Sequence, residues 1–337
     1  MAQGILLVGG YGTRLLPLTA DVPKPMLPIA GLPITEHQLM MAKRANITSI
    51  VLATSYLSDV FVPYFGDGSK WGIRLQYAVE STPLGTGGAI RNAAQFLHGN
   101  ESIVIMNGDV LSSHDLSKQI ALHESRDADV TLHLTQVVDA RAFGCVPTDN
   151  NGRVTAFLEK MENPVTNNIN AGCYIFHPRV LEAIELNTVV SIEREVFPDL
   201  VNQGRKVFGF SDNSYWLDVG NPAALLQGSI DIVQGRADAR ALDDAKVIHR
   251  SDQYVAMQGT QIEAGAKILG GSAIGHSVIV RTNSLIDQSI ICDRAVVSQG
   301  AKLTRCFVAA GVIVPEQAEL IEYYVGADGP RPLIAGK

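Results

Sequence analysis

The stretch Leu6–Met26, "LLVGGYGTRLLPLTADVPKPM", decides how the chain is read. Its apolar start is a buried strand, and Gly9, Gly10 and Gly12 follow at once, where a backbone can turn with positive φ and bring its N–H groups to an anion. Arg14 and Lys24 then supply positive charge. The segment lacks the third glycine of a dinucleotide GxGxxG fingerprint, and no GxxxxGK followed by Ser or Thr occurs anywhere in the chain. The expectation is a phosphate loop of a third kind, placed after a first strand.

Outward from that loop, "GILLVGG", "SIVLATS", "RLQYAVE", "SIVIMNGD" and "DVTLHLTQV" read as strands, while "TEHQLMMAKRA", "TGGAIRNAAQFL" and "SHDLSKQIALHESR" carry apolar positions at helical spacing. Strand and helix in alternation predict an α/β fold with a mostly parallel sheet covered on both faces, whose ligands lie beyond the carboxyl ends of its strands. "RADARALDDAK" is charged and alanine-rich, as a linker is. Beyond it aliphatic residues recur every six positions, Ile262, Ile268, Ile274, Val280 and Ile286, then after a one-residue slip Ile291, Val297, Leu303 and Ala309. A second row holds Ala266, Ser272, Val278, Ser284, Ser289, Ala295, Ala301 and Phe307. Two coupled rows of period six predict a parallel β-helix of hexapeptides. The expected division is an α/β domain over 1–235, a linker over 236–256, the β-helix over 257–326 and a tail over 327–337.

The 337 residues carry a net charge of −7, with 46% hydrophobic and 18% charged, so nothing in the composition suits nucleic acid or an anionic membrane. The N-terminal apolar run is too short for a signal peptide or a span, which points to the cytoplasm. Four scattered cysteines without metal spacing read as small buried side chains.

Two aspartates end strand-like segments, Asp109 in "IVIMNGDV" and Asp218 in "YWLDVG", and two carboxylates suit a Mg²⁺ ion that takes its other ligands from phosphates and water. In "FLEKMENPVTNNINAGCYIF" a polar Asn170 and Gly172 interrupt an apolar strand, as where a ligand approaches the backbone. Among the eight histidines none stands out as catalytic.

"GGYGTRLLPLT", "PKPMLPIAGLPI", "PLGTGGAIRN", "NGDVL", "FLEK", "NAGCYIF" and "YWLDVGNP", in this order, resemble the sugar-phosphate nucleotidyltransferases, most closely the mannose-1-phosphate guanylyltransferases. Many relatives read RLRPLT where this chain has Leu16, so one extra cation is absent. The resemblance implies a GT-A-like Rossmann-type domain followed by a left-handed β-helix. It implies that Val8, Gly9, Gly10, Gly12, Thr13, Arg14, Lys24, Gly85, Thr86, Asn107 and Asp109 embrace the nucleotide, with Asp109 and Asp218 holding Mg²⁺. Lys160 then meets the phosphate of the sugar phosphate, and Gly144, Glu159, Asn170 and Gly172 its ring. Arg14, Lys24, Asp109, Lys160 and Asp218 form the implied catalytic set. The implied substrates are GTP and mannose 1-phosphate, the products GDP-mannose and pyrophosphate, and the assembly a homo-oligomer.

Glu80 falls where uridine- or thymidine-using relatives often carry Gln. A carboxylate accepts from guanine N1–H and N2–H₂, whereas uracil also presents acceptors. The same reaction with another base or sugar, and a catalytically silent regulatory subunit, are the alternatives. An acyltransferase seated on the repeats would need a projecting histidine, and that region offers only His276.

Overall fold

The computed structural model describes residues 2–10, 12–20, 22–54 and 58–333. The chain divides into two compact units, Met1–Gly10 with Gln38–Trp216, and Tyr11–His37 with Leu217–Lys337. The loop after the first strand therefore passes from one unit to the other within a few residues.

The first unit is built on a nine-stranded sheet: β1 (Gln3–Leu7), β2 (Ser49–Thr54), β3 (Arg74–Val79), β4 (Ile103–Asn107), β5 (Val130–Gln136), β6 (Gly144–Cys145), β7 (Leu158–Glu159), β8 (Asn168–Phe176) and β9 (Val207–Ser211). The order is β9-β5-β8-β4-β1-β2-β3, and the β6–β7 hairpin joins the first half of β8. β3, β2, β1 and β4 run parallel, β8 is antiparallel to both its neighbours, and β9 is parallel to β5. Ile5 and Leu6 point to opposite faces and both are wholly buried, as a sheet covered on two sides requires. The five strands and three helices read from sequence all form. The α-helices among the described residues are α1 (Ile34–Arg44), which begins in the second unit, α2 (Ser58–Phe65), α3 (Gly85–Ala93), α4 (Leu116–Ser125) and α5 (Phe197–Asn202), with α6 (Pro222–Val233) in the second unit. Asp115 caps α4 by accepting from the Lys118 N–H at 3.0 Å, and Asn221 caps α6 with Pro222 as its first residue.

One topological fact positions the site. From β1 the chain works outward through β2 and β3, then returns to β1's other edge as β4. The carboxyl ends of β1 and β4 thus flank the switch point where connections diverge, the crevice in which open α/β sheets bind ligands.

In the second unit the repeats form a parallel β-helix with three faces, seven, four and four strands deep. The seven-stranded face begins and ends in antiparallel hairpins, the first being Val247–Arg250 with Tyr254–Met257, so regular strands start within 236–256. Ile268, Ile274, Val280, Ile286, Ile291, Val297 and Leu303 fill the interior, whereas Ile262 is 39% exposed in its first turn. The expected last members of the two rows are corrected. Val308 and Cys306, wholly buried in the core cluster, take the places expected of Ala309 and Phe307. The cause is a second slip. Gln261 pairs with Ile279 eighteen residues on, but Ile279 pairs with Val296 and Ile290 with Phe307 at seventeen. Ser272, Ser289 and Cys306 stack at that interval, each lower hydroxyl accepting the next N–H, at 3.1 and 2.9 Å.

The residue lost is at a corner. The first turn passes through Gly270 and Gly271, both at positive φ, and a Cβ on Gly271 would stand 2.9 Å from the Ile230 side chain of α6. Later turns make the same corner with one left-handed residue, Gln288, Arg305 and Glu322. The extra glycine gives α6 room against the first coil.

Cys145, Cys173 and Cys306 are buried, and all four cysteines are free thiols. Among the described residues no helix is long and apolar enough to cross a membrane.

Candidate active site

Two groups of residues meet at the switch point in the first unit. The Val8 N–H continues the sheet by donating to Ala53 O at 2.9 Å, and Gly9 and Gly10 leave it, Gly10 with φ of 110°. From β4 come Asn107, Gly108 and Asp109. The Gly108 N–H donates to Leu7 O at 2.9 Å, and a Cβ there would lie 2.3 Å from that oxygen, so only glycine lets this turn lie on β1. Gln38, buried on α1, donates through Nε2 to Asn107 O at 2.6 Å and Val110 O at 3.0 Å, pinning the backbone on both sides of Asp109. Sequence reading missed Gln38. A glutamine beside Leu39 and Met40 on a buried helix face was the available signal.

Glu80 directly follows β3, which ends at Val79. One carboxylate oxygen accepts the Leu84 N–H at 3.3 Å, and the other, Oε1, is buried with no hydrogen-bond partner. Burial raises the Glu80 pKa, with the Leu84 N–H acting against the rise. Gly85 and Thr86 open α3, and the segment Thr188–Ser191 lies directly upon them. The Gly87 N–H donates to Val190 O at 2.8 Å, and a Cβ on Gly85 would stand 2.6 Å from the same oxygen. The Thr86 hydroxyl donates to Glu193 Oε2 at 2.7 Å and accepts the Ile192 N–H at 2.9 Å.

The residues assigned to the sugar phosphate gather around β8. Its ladder with β5 shifts register between Asn170 and Tyr174, with Gly172 at φ 78°, so the polar interruption seen in the sequence is an irregularity in the strand. Asn170 donates to the Tyr174 hydroxyl at 2.9 Å and accepts the Gly172 N–H at 3.2 Å. The Asn107 amide stands where a Cβ on Gly172 would be, 3.0 Å away, which brings the end of β4 against the interruption in β8. The Asn107 Oδ1 is buried without a partner. On the hairpin, Gly144 faces the Glu159 carboxylate, 2.7 Å from where its Cβ would be. Burial raises the Glu159 pKa, opposed by Lys160, whose Nζ is 4.0 Å away. Lys160 adopts positive φ and is 60% exposed, lining an open cavity of about 540 Å³ with Met161 and Arg141.

The other expected residues lie in the second unit. Gly12, at φ 60°, precedes the turn Thr13–Leu15; its carbonyl accepts the Thr19 hydroxyl at 2.9 Å, and Lys24 Cβ lies 3.1 Å from where its own Cβ would be. Thr13 and Arg14 are exposed. The Arg14 guanidinium and the Asp218 carboxylate converge over Gly220, each within 3.3 Å of the position a Cβ would take there. Among the described residues no group of three or more His, Cys, Asp or Glu could hold a metal ion.

Glycine turns thus stand beside Asp109 in the first unit and beside Arg14 and Lys24 in the second. The class these features define is that of phosphate-handling α/β transferases. The chain belongs to the nucleotidyl transferase family, whose profile matches residues 3–235, and a GlmU-like C-terminal hexapeptide profile matches 243–328. It is 46% identical over 304 residues to mannose-1-phosphate guanylyltransferase of Mycobacterium tuberculosis, covering 90% of this chain and 83% of that protein. It is 37% identical over 232 residues to mannose-1-phosphate guanyltransferase of Eremothecium gossypii, covering 68% and 64%. The structure of HddC from Yersinia pseudotuberculosis superposes with a TM-score of 0.59 at 27% identity, over 68% of this chain and 98% of that one.

Proposed function

We propose that the chain transfers a guanylyl group from GTP to mannose 1-phosphate, giving GDP-mannose and pyrophosphate. The observation that carries the reading is the switch point, where the glycine turn after β1 meets Asn107-Gly108-Asp109 and the sugar-side residues of β8 adjoin through Asn107. The identity to the mycobacterial guanylyltransferase supports the choice of substrates.

In the proposed reaction a phosphate oxygen of the sugar phosphate attacks the α-phosphorus of GTP. A new P–O bond forms as the bond to the β-phosphate oxygen breaks, and pyrophosphate leaves with its electron pair. The nucleophile is already anionic, so the protein's task is alignment and charge neutralisation. The histidines fit that view. His114 and His133 are stacked and buried, and burial holds their pKa values at about 4 and about 3, so they are neutral near pH 7.

Arg14 and Lys24 are proposed to neutralise the triphosphate, Lys160 to meet the sugar phosphate, and Glu159 and Asn170 to hold the ring. The Thr86 hydroxyl is already engaged, so what Gly85 and Thr86 offer a base is backbone. A divalent cation such as Mg²⁺, when bound, screens the triphosphate and polarises the α-phosphoryl group. Carboxylate oxygens are the donors it prefers, and the lack of a larger ligand cluster among the described residues suits an ion completed by phosphates and water. Asp109 and Asp218 are proposed as those carboxylates.

The test is pyrophosphate release across the four nucleoside triphosphates and several sugar 1-phosphates. GTP with mannose 1-phosphate is expected to give the highest kcat/KM. A clear preference for another pair would replace the substrates, and no release with any pair would overturn the reading.

A further inference from the structure

We infer that Glu193 is a positioning residue that seats the nucleotide-side loop 84–88 through the Thr86 hydroxyl. The inference rests on the proposed reading of that loop as the base-facing one.

Glu193 lies 107 residues from Thr86 in sequence, yet its Oε2 accepts the Thr86 hydroxyl at 2.7 Å and the Ser191 hydroxyl at 3.1 Å. The same hydroxyl accepts the Ile192 N–H at 2.9 Å through one of its lone pairs. One hydroxyl thus bridges a carboxylate and a backbone donor, both belonging to a segment that also clamps the loop from above. There the Val190 N–H donates to Leu84 O at 2.9 Å, and Gly87 donates back to Val190 O at 2.8 Å. Hydrogen bonds to an ionised acceptor are about twice as strong as neutral ones, so the carboxylate is the strong member of this set. Three of the loop's five residues, Gly85, Gly87 and Gly88, have no side chain to pack and meet Val190 and Thr188 with bare backbone. Its seating depends on those polar links. Ser191 and Glu195 complete the supporting turn, with the Ser191 N–H donating to Glu195 Oε1 at 2.8 Å.

Glu193 also stands near Glu159, on which its negative charge acts. It therefore sits between the loop proposed to face the base and a carboxylate proposed to hold the sugar. A glutamate here serves the nucleotide without touching it.

The experiment uses the full chain with four single variants and one double. Glu193→Ala and Thr86→Val remove the link, Glu193→Gln keeps a neutral acceptor, and Thr86→Ser keeps the hydroxyl. The expected result is a rise of about tenfold in the Kd for GTP, titrated without sugar phosphate, in Glu193→Ala and in Thr86→Val. Glu193→Gln is expected to recover part of that loss and Thr86→Ser all of it. The double variant Thr86→Val/Glu193→Ala should be no worse than either single one, because both remove the same link. In turnover, KM for GTP should rise while KM for mannose 1-phosphate stays within twofold. Hydrogen exchange reads the same link without any ligand: the Ile192 and Gly87 amides should exchange at least tenfold faster in Glu193→Ala and Thr86→Val and at the wild-type rate in Thr86→Ser. Additive losses, or unchanged exchange at these amides, overturn the inference. Unchanged GTP affinity together with faster exchange overturns the role in nucleotide seating. A wild-type chain that binds no GTP refutes the proposed function, and the exchange data then still judge the link itself.

Discussion

Replacing Glu80 by glutamine tests base selection where the structure makes the arithmetic simple. Of the two carboxylate oxygens, Oε2 already accepts the Leu84 N–H at 3.3 Å, which leaves Oε1, buried and unpartnered, as the one acceptor to offer a base. A buried acceptor without a donor is costly, and guanine N1–H or N2–H₂ relieves that cost on binding. A hydrogen bond to a charged group contributes about 1.5–3 kcal/mol, so Glu80→Gln should lower kcat/KM for GTP roughly 10- to 150-fold. UTP should lose less, because the new amide donor suits a uracil carbonyl. The assay is pyrophosphate release with mannose 1-phosphate and each nucleotide in turn, the readout being the GTP/UTP ratio of kcat/KM. A ratio within twofold of wild type would falsify the assignment. pH supplies a second arm. Burial raises the Glu80 pKa, so on acidification this carboxyl takes up a proton earlier than an exposed one and stops accepting. The GTP preference of the wild type should fade on that acid limb, and the glutamine variant should show no such fade.

Asp109→Asn and Asp218→Asn should each cut kcat by orders of magnitude while leaving circular dichroism unchanged, since metal stabilisation of a triphosphate is worth several kcal/mol; near-wild-type turnover in both would mean the metal is held elsewhere. In the β-helix, Leu303→Ala should cost about 2–5 kcal/mol in urea unfolding, against less than about 1 kcal/mol for Ile313→Ala, because Leu303 is wholly buried and Ile313 is 66% exposed. Equal costs would show that the two positions do not differ in packing as described. Asp129 sits between Arg205 and Arg179; burial pushes its pKa up, but those guanidiniums and the Lys206 N–H pull it further down, so the net shift is downward. A lowered carboxylate stabilises the fold above its unfolded pKa and loses that contribution as pH falls. Asp129→Asn should therefore lower stability by roughly 2 kcal/mol near pH 7 and flatten the acid side of the stability profile, and an unchanged profile would refute it.

Local periodicity made the strands and helices legible, because burial on both sheet faces leaves nearly continuous apolar runs such as "GILLV". The interruption at Asn170 and Gly172 was equally visible, since a polar residue and a glycine seldom share the middle of a buried strand. The repeat was read correctly until its second slip. Ala309 and Val308 are both aliphatic, so hydrophobicity alone could not show which of two neighbours enters the core. The partners of Gln38 and Glu193 were invisible for another reason, although Gln38 itself left a signal on its apolar helix face. Asn107 lies 69 residues from Gln38 and Thr86 107 residues from Glu193, and nothing in a single sequence marks a pair that only folding brings together.

The shortening of the coil from eighteen to seventeen residues has a bearing on how this molecule can change length. From Gln288 onward the corner residues Gln288, Arg305 and Glu322 repeat at a fixed interval, and the Arg305 side chain reaches both its counterparts, Gln288 at 3.3 Å and Glu322 at 3.2 Å. Because a coil of a solenoid touches only its neighbours, the interval acts as a unit of duplication: a tandem copy of one coil meets on each side the partners it already has. A one-residue insertion has no such neutral outcome within a strand, where it turns every following side chain from core to solvent, so it is absorbed only at a corner. Gly271, crowded by Ile230, occupies one of those corners, and natural length variation in this domain is expected to arrive there one residue at a time, or elsewhere by whole coils.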